Sequence, residues 1–165
     1  MFGSEGVAVN TKSDDSLDPD AGLAPRSATE LFRILKEKEA SCVVDVSVTM
    51  LELHNDALRD LLIPAGVDQG KLRIKLSEHS ESGLVEVDGA TVEKVKSTQE
   101  LLDIFKRGAK SRTTSSTKMN ADSSRSHLIT SIVTSVKNKR TGHIIQGKLT
   151  LVDLAGSERV GKRCV

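Results

Sequence analysis

The stretch Lys148-Leu149-Thr150-Leu151-Val152-Asp153-Leu154-Ala155-Gly156 sets an aspartate at the carboxyl end of an apolar strand and a glycine three residues on. Open α/β sheets place ligand groups at such strand ends. There a carboxylate suits a water-coordinated magnesium ion, and a glycine lets its backbone N–H approach a terminal phosphate with no side chain in the way. Taken alone, the aspartate reads equally as a cap on a strand end before a turn. Ahead of it runs Asn120-Ala121-Asp122-Ser123-Ser124-Arg125-Ser126-His127, in which three hydroxyls and a guanidinium fall within four positions. Such a group supplies partners for phosphate oxygens and a hard metal. By itself it also reads as a solvated polar loop. The pair of segments favours phosphate chemistry, because the two flank one expected β-hairpin and their ends would meet over one ligand.

A third stretch, Gly142-His143-Ile144-Ile145-Gln146-Gly147-Lys148, matches the opening of the phosphate-loop pattern G-x-x-x-x-G-K, but Leu149 stands where Ser or Thr would ligate magnesium. A phosphate loop also follows a strand and opens a helix, whose N–H groups face the anion. This glycine-lysine pair opens a β-branched strand instead. It is set aside as a phosphate cradle, and the 165 residues hold no other match.

The elements that must position these groups follow from periodicity. Residues 1–25, with Gly3, Gly6, Gly22, Pro19, Pro25 and an acidic cluster at 14–20, show no sustained pattern and read as a mobile N-terminal loop. Ser27 as N-cap, Glu30 as its capping-box partner and the stripe Leu31, Ile34, Leu35 predict a helix over 27–38. Residues 42–53 alternate and are rich in valine, predicting a long strand, followed by a helical turn over 57–62. Short strands over 72–76, 84–87 and 91–95 suggest a small β excursion. Ser97 caps a second helix striped by Leu101, Leu102, Phe105 and Ala109. A Ser/Thr/Lys-rich stretch, 110–126, leads into strands over 127–136 and 144–154. This mixture points to an α/β layered sheet flanked by helices.

Composition narrows the partners. The two cysteines, Cys42 and Cys164, make neither a disulfide framework nor a metal-ligand spacing. No run of 18 apolar residues and no signal-peptide start occurs, so the chain is expected to be cytoplasmic, with no membrane partner. The net charge of +1 conceals a split: 11 Lys and Arg face 20 Asp and Glu through residue 105, and 13 face 3 from residue 106 onward. A basic final third implies an anionic partner. Nucleic acid binding through Lys106–Lys118 is disfavoured, since the chain has no Trp or Tyr on which bases would stack.

With these residues in view, Asn120-x-x-Ser123-Ser124-Arg125-Ser126-His127 resembles the switch I motif of kinesin motor domains, and Asp153-Leu154-Ala155-Gly156-Ser157-Glu158 resembles their switch II. Support runs from Met1-Phe2-Gly3 through Gly22-Leu23-Ala24-Pro25-Arg26 and Glu52-Leu53-His54-Asn55-Asp56 to Arg59-Asp60-Leu61-Leu62. The chain is most similar in flavour to the C-terminal-motor class, near the plant kinesin-like calmodulin-binding proteins, which would add calmodulin as a partner of the full-length protein.

The resemblance implies a P-loop NTPase fold, ATP and magnesium as cofactors, and microtubules as partner, with a cytoskeletal location. It gives Ser124 contact with the γ-phosphate and magnesium, Asp153 a hold on magnesium through water, and Gly156 an N–H that senses the γ-phosphate. Arg125 and Glu158 would close the two switches as an ion pair around the attacking water, with Asn120 and Ser123 lining the pocket. It departs from the family where His54 replaces a Tyr and Asp56 stands where Glu is commoner. It also implies an incomplete domain, with 26–165 covering about the middle half of a motor and lacking both the phosphate loop and the microtubule-binding helices. On that expectation the chain by itself is a doubtful ATPase. The alternative is a non-catalytic, salt-sensitive tubulin-binding module.

Overall fold

The computed structural model describes residues 1–2, 21–64, 66–76, 85–116 and 125–156, with side chains left out at 113–116. The frame is a twelve-pair antiparallel ladder between β1 (Cys42–His54) and β6 (His127–Asn138), running from Cys42 opposite Asn138 to Leu53 opposite His127. β7 (Ile144–Asp153) pairs with the other edge of β6, and β2 (Ala57–Asp60) and β5 (Glu93–Val95) share the outer edge of β1. Strand order is β2-β1-β6-β7. β3 (Arg73–Leu76) and β4 (Val85–Asp88) form a separate two-stranded sheet, two of the three strands of the expected β excursion, while the third, expected over 91–95, joins the main sheet as β5 on the edge of β1. A Lys75–Asp88 ion pair at 2.7 Å crosses it, and the Lys75 hydrogen bond holds the Asp88 carboxyl below its ordinary range.

Alternation along the strands decides which face is buried. Val46, Val48 and Met50 of β1, Ile132 and Leu128 of β6 and Leu151 of β7 share one face, and all are buried. Against it pack α1 (Leu23–Lys38) and α2 (Thr98–Ser116), which supply Ala28, Leu35, Leu101, Leu102 and Phe105 to the same core. The approach of α2 is close: a Cβ on Gly108 would fall 2.1 Å from Met50 Sδ, a side chain with no exposed surface. β7 has no partner beyond β6 among the described residues, and Ile144, Ile145 and Val152 along it stay exposed.

Three elements differ from their expected form. Helix α1 opens at Leu23 rather than after a Ser27 cap, so residues 23–25, expected in the N-terminal loop, are helical. Gly22 is the N-cap, its carbonyl accepting the Arg26 N–H at 3.2 Å, and Pro25 sits in the first turn, where a helix has no use for an N–H. Glu30 closes no capping box; it bonds Arg33, which draws its carboxyl below the ordinary range. Met1 and Phe2 are also anchored, through backbone bonds to Ala24 and Gly22 and a ring contact between Phe2 and Phe105.

The expected helical turn over 57–62 is instead strand β2, folded back on β1 through a two-residue turn. Asn55 and Asp56 both have positive φ, 46° and 60°, as a type I′ hairpin demands. Asp56→Gly should therefore stabilise the chain by about 0.5–1 kcal/mol, because glycine enters that region without strain. Urea unfolding checks it, and a lower midpoint for the variant would contradict this turn geometry. Finally, α2 continues to Ser116 through residues whose composition reads as loop. Its start is as expected: Ser97 Oγ accepts the Glu100 N–H at 3.2 Å, and the Glu100 carboxylate reaches back to the Lys96 N–H at 2.8 Å.

Candidate functional site

The β6–β7 hairpin brings the two chemistry-bearing segments together. Its register ends with Leu128 opposite Asp153, so Arg125 and Gly156 leave the sheet at the same end, and both are exposed. Asp153 is the last residue of β7, on the helix-covered face, with a side chain 42% exposed. Asn120, Ser123, Ser124 and Glu158 lie outside the described residues, as does the Arg125–Glu158 pair. The third hydroxyl of the first segment is not available to a ligand. Ser126 is buried, and its Oγ donates to Glu52 Oε1 at 2.7 Å.

Behind the rim lies a polar network that the sequence reading missed. Glu52, buried near the end of β1, sits on the face of Val46, Val48 and Met50, and Arg112 of α2 reaches its Oε1 at 3.4 Å. The same guanidinium contacts Asp153 Oδ2 at 3.4 Å and donates to the Ser126 carbonyl at 2.9 Å. Arg59 of β2 approaches Glu52 Oε2 at 3.8 Å. One cation thus ties the exit of β7 to the entry of β6 and the end of β1. A buried carboxylate is tolerated only with such partners. The signal was present: Glu52 breaks an otherwise apolar alternation, and Arg112 follows Gly108 by one helical turn on the inward stripe.

A second tie comes from the other face. The half-buried His127, first residue of β6, accepts the Ala155 N–H on its Nδ1 at 2.9 Å. The sequence reading placed His127 in the motif without a role.

The donor chemistry at the rim suits a magnesium nucleotide. The Asp153 carboxylate contacts the Arg112 guanidinium on one side and remains partly open to solvent on the other. Gly156 and Arg125, both exposed, leave the sheet at the same end, and an N–H and a guanidinium are groups that can meet phosphate oxygens. Among the described residues no cluster of His, Cys, Asp and Glu could hold a metal by itself, and no helix is long and apolar enough to cross a membrane.

The family model described as the kinesin motor domain matches residues 8–165. The kinesin-like protein KIN-14I of Oryza sativa subsp. japonica is 43% identical over 141 residues, which is 86% of this chain and 11% of the relative. KIN-14E of Arabidopsis thaliana is 41% identical over 145 residues, 88% of this chain and 11% of that protein. A solved structure of a fast kinesin, presented with implications for its ATPase mechanism and microtubule interactions, superposes with a TM-score of 0.76 at 34% identity. The match covers 99% of this chain and 46% of the other. The chain therefore spans about a ninth of the length of these curated relatives and under half of the solved one.

Proposed function

The chain belongs to the kinesin motor-domain family, and from that premise we propose that its rim of Arg125, Asp153 and Gly156 is the switch half of an ATP-hydrolysing site in a microtubule motor. The observation that supports this reading is the β6–β7 register, which ends with Leu128 opposite Asp153 and so brings Arg125 and Gly156 to one end of the sheet. ATP with magnesium supplies a phosphoryl group whose charge the metal neutralises. Asp153 and Ser124 would hold the metal, Asp153 through water, and Ser123 and Asn120 would line the pocket. The Gly156 N–H would read whether a γ-phosphate is present. Arg125 and Glu158 would close as an ion pair and exclude bulk water from the attacking one. Positioning and charge compensation are the main contributions a protein makes to this reaction. Tubulin is the proposed partner, with a cytoskeletal location, as in the family.

Steady-state phosphate release with polymerised tubulin tests the reading. The 165 residues by themselves contain no G-x-x-x-x-G-K-[ST] stretch and are expected to turn over more slowly than about 1 s⁻¹, the low end of ordinary enzyme rates. A complete motor domain carrying this segment should exceed that rate when microtubules are added. If the complete domain stays below it, the switch reading is wrong.

A further inference from the structure

The ladder between β6 and β7 ends in an unusual way. Extending its register past Leu128 and Asp153 would set Ser126 across from Ala155, and the two backbones would then bond each other or water. Side chains take both places instead. The Ser126 carbonyl accepts from Arg112 Nη2 at 2.9 Å, and the Ala155 N–H donates to His127 Nδ1 at 2.9 Å. Pleating puts the two ties on opposite faces. Asp153, opposite Leu128, shares the helix-covered face with Glu52 and is held there by Arg112, whereas His127 and its β1 partner Leu53 belong to the other face. The chain leaving β7 is thus gripped from above at residue 153 and from below at residue 155.

We propose that His127 is a positioning residue for the segment after β7: its Nδ1 fixes the Leu154–Ala155 peptide plane, and so narrows the path by which the chain reaches Gly156. This rests on the switch reading of Gly156 given above. The geometry explains why histidine stands here. An acceptor must reach an N–H beyond the strand end from a position already committed to the β1–β6 ladder, and a neutral imidazole protonated on Nε2 presents a bare Nδ1 at that short reach. It also gives the two switches a direct connection. His127 follows Arg125 and Ser126 directly, so a change in the path of those two residues that pulls on His127 would move the Ala155 peptide with it.

The test uses the 165-residue chain labelled with ¹⁵N. The intact protein should show a scalar coupling between the Ala155 amide nitrogen and His127 Nδ1, carried through the hydrogen bond. His127→Phe keeps the ring volume but removes the acceptor. It should speed exchange of the Ala155 amide by about tenfold, the effect of one lost net hydrogen bond, while the amide of Ile132 in mid-strand changes by less than about twofold. His127→Asn, whose Oδ1 lies where Nδ1 was, should restore slow exchange. Absence of the coupling in the intact protein overturns the proposal whether or not the variants fold. It is equally overturned if the Phe variant accelerates Ala155 and Ile132 alike, the signature of a merely structural role, or if the Asn variant exchanges as fast as the Phe one. No nucleotide enters this measurement, so its failure leaves the switch reading untouched. A complete motor domain without ATPase would overturn that reading with the hydrogen bond intact.

Discussion

Arg125→Ala, in a complete motor domain carrying this segment, should cut microtubule-stimulated hydrolysis by about 100- to 1000-fold, the usual loss when one group stabilising a transition state is removed. Nucleotide binding should stay within a few fold of the parent. Arg125 is exposed at the end of the sheet, where an ion pair adds only about 0–1 kcal/mol to stability. Its proposed worth therefore lies in a closed, water-excluding state that the Arg125–Glu158 pair would form around bound nucleotide. Glu158→Ala should match it, and the double variant should be no slower than either single one, because a gate already open cannot be opened twice. Single-turnover hydrolysis together with nucleotide affinity decides the matter. Losses that multiply in the double variant would show two independent roles.

Arg112→Ala is expected to be the most damaging single change to stability, costing about 3–5 kcal/mol, the usual effect of stripping one partner from a buried ion pair. Its side chain is 14% exposed and that of Glu52 only 10%, so water cannot take over the lost contacts. The contact with the more exposed Asp153 adds little, being screened by solvent. Most of the cost falls on Glu52, left with the Ser126 hydroxyl and a distant Arg59. For a domain whose whole stability is about 5–15 kcal/mol, this approaches unfolding. Arg112→Met combined with Glu52→Gln should regain much of the loss, since the amide oxygen still accepts from Ser126 and no charge is stranded. Denaturant unfolding of the three proteins tests this; a loss below about 1 kcal/mol for Arg112→Ala would mean that Glu52 does not depend on it.

The parts of this molecule that were readable in advance are those dictated by neighbours in sequence. Alternating valines predicted β1, Ser97 predicted the start of α2, and Thr141-Gly142 between two β-branched runs predicted the hairpin that unites the switches. The misreadings arise where distant residues decide. Ala57-Leu58-Arg59-Asp60 has good helix formers, yet the open edge of β1 draws it into a strand and Asn55-Asp56 tolerates the left-handed turn this needs. Thr113–Ser116 looks like loop by composition, yet continues α2. Glu52 and Arg112 are sixty positions apart, and only the packing of α2 on β1 makes them partners. Arg125, Asp153 and Gly156 stand out in the sequence through their motifs; Arg112, Glu52 and His127, which the structure sets against that end of the sheet, do not.

The long β1–β6 ladder bears on how the chain is made. Val48 and Ile132, paired near its middle, are 84 positions apart. At about 5–20 residues per second of synthesis, β1 leaves the ribosome roughly 4–17 s before the strand that will cover its inner edge. During that interval β2 and β5 can protect only the outer edge, so a nascent chain with a bare valine-rich strand should be a substrate for chaperones that bind extended apolar segments. The β6–β7 hairpin, by contrast, is local and can form in microseconds once made. Assembly of the central sheet therefore waits on the arrival of β6 and β7, the hairpin whose end carries Arg125, Asp153 and Gly156.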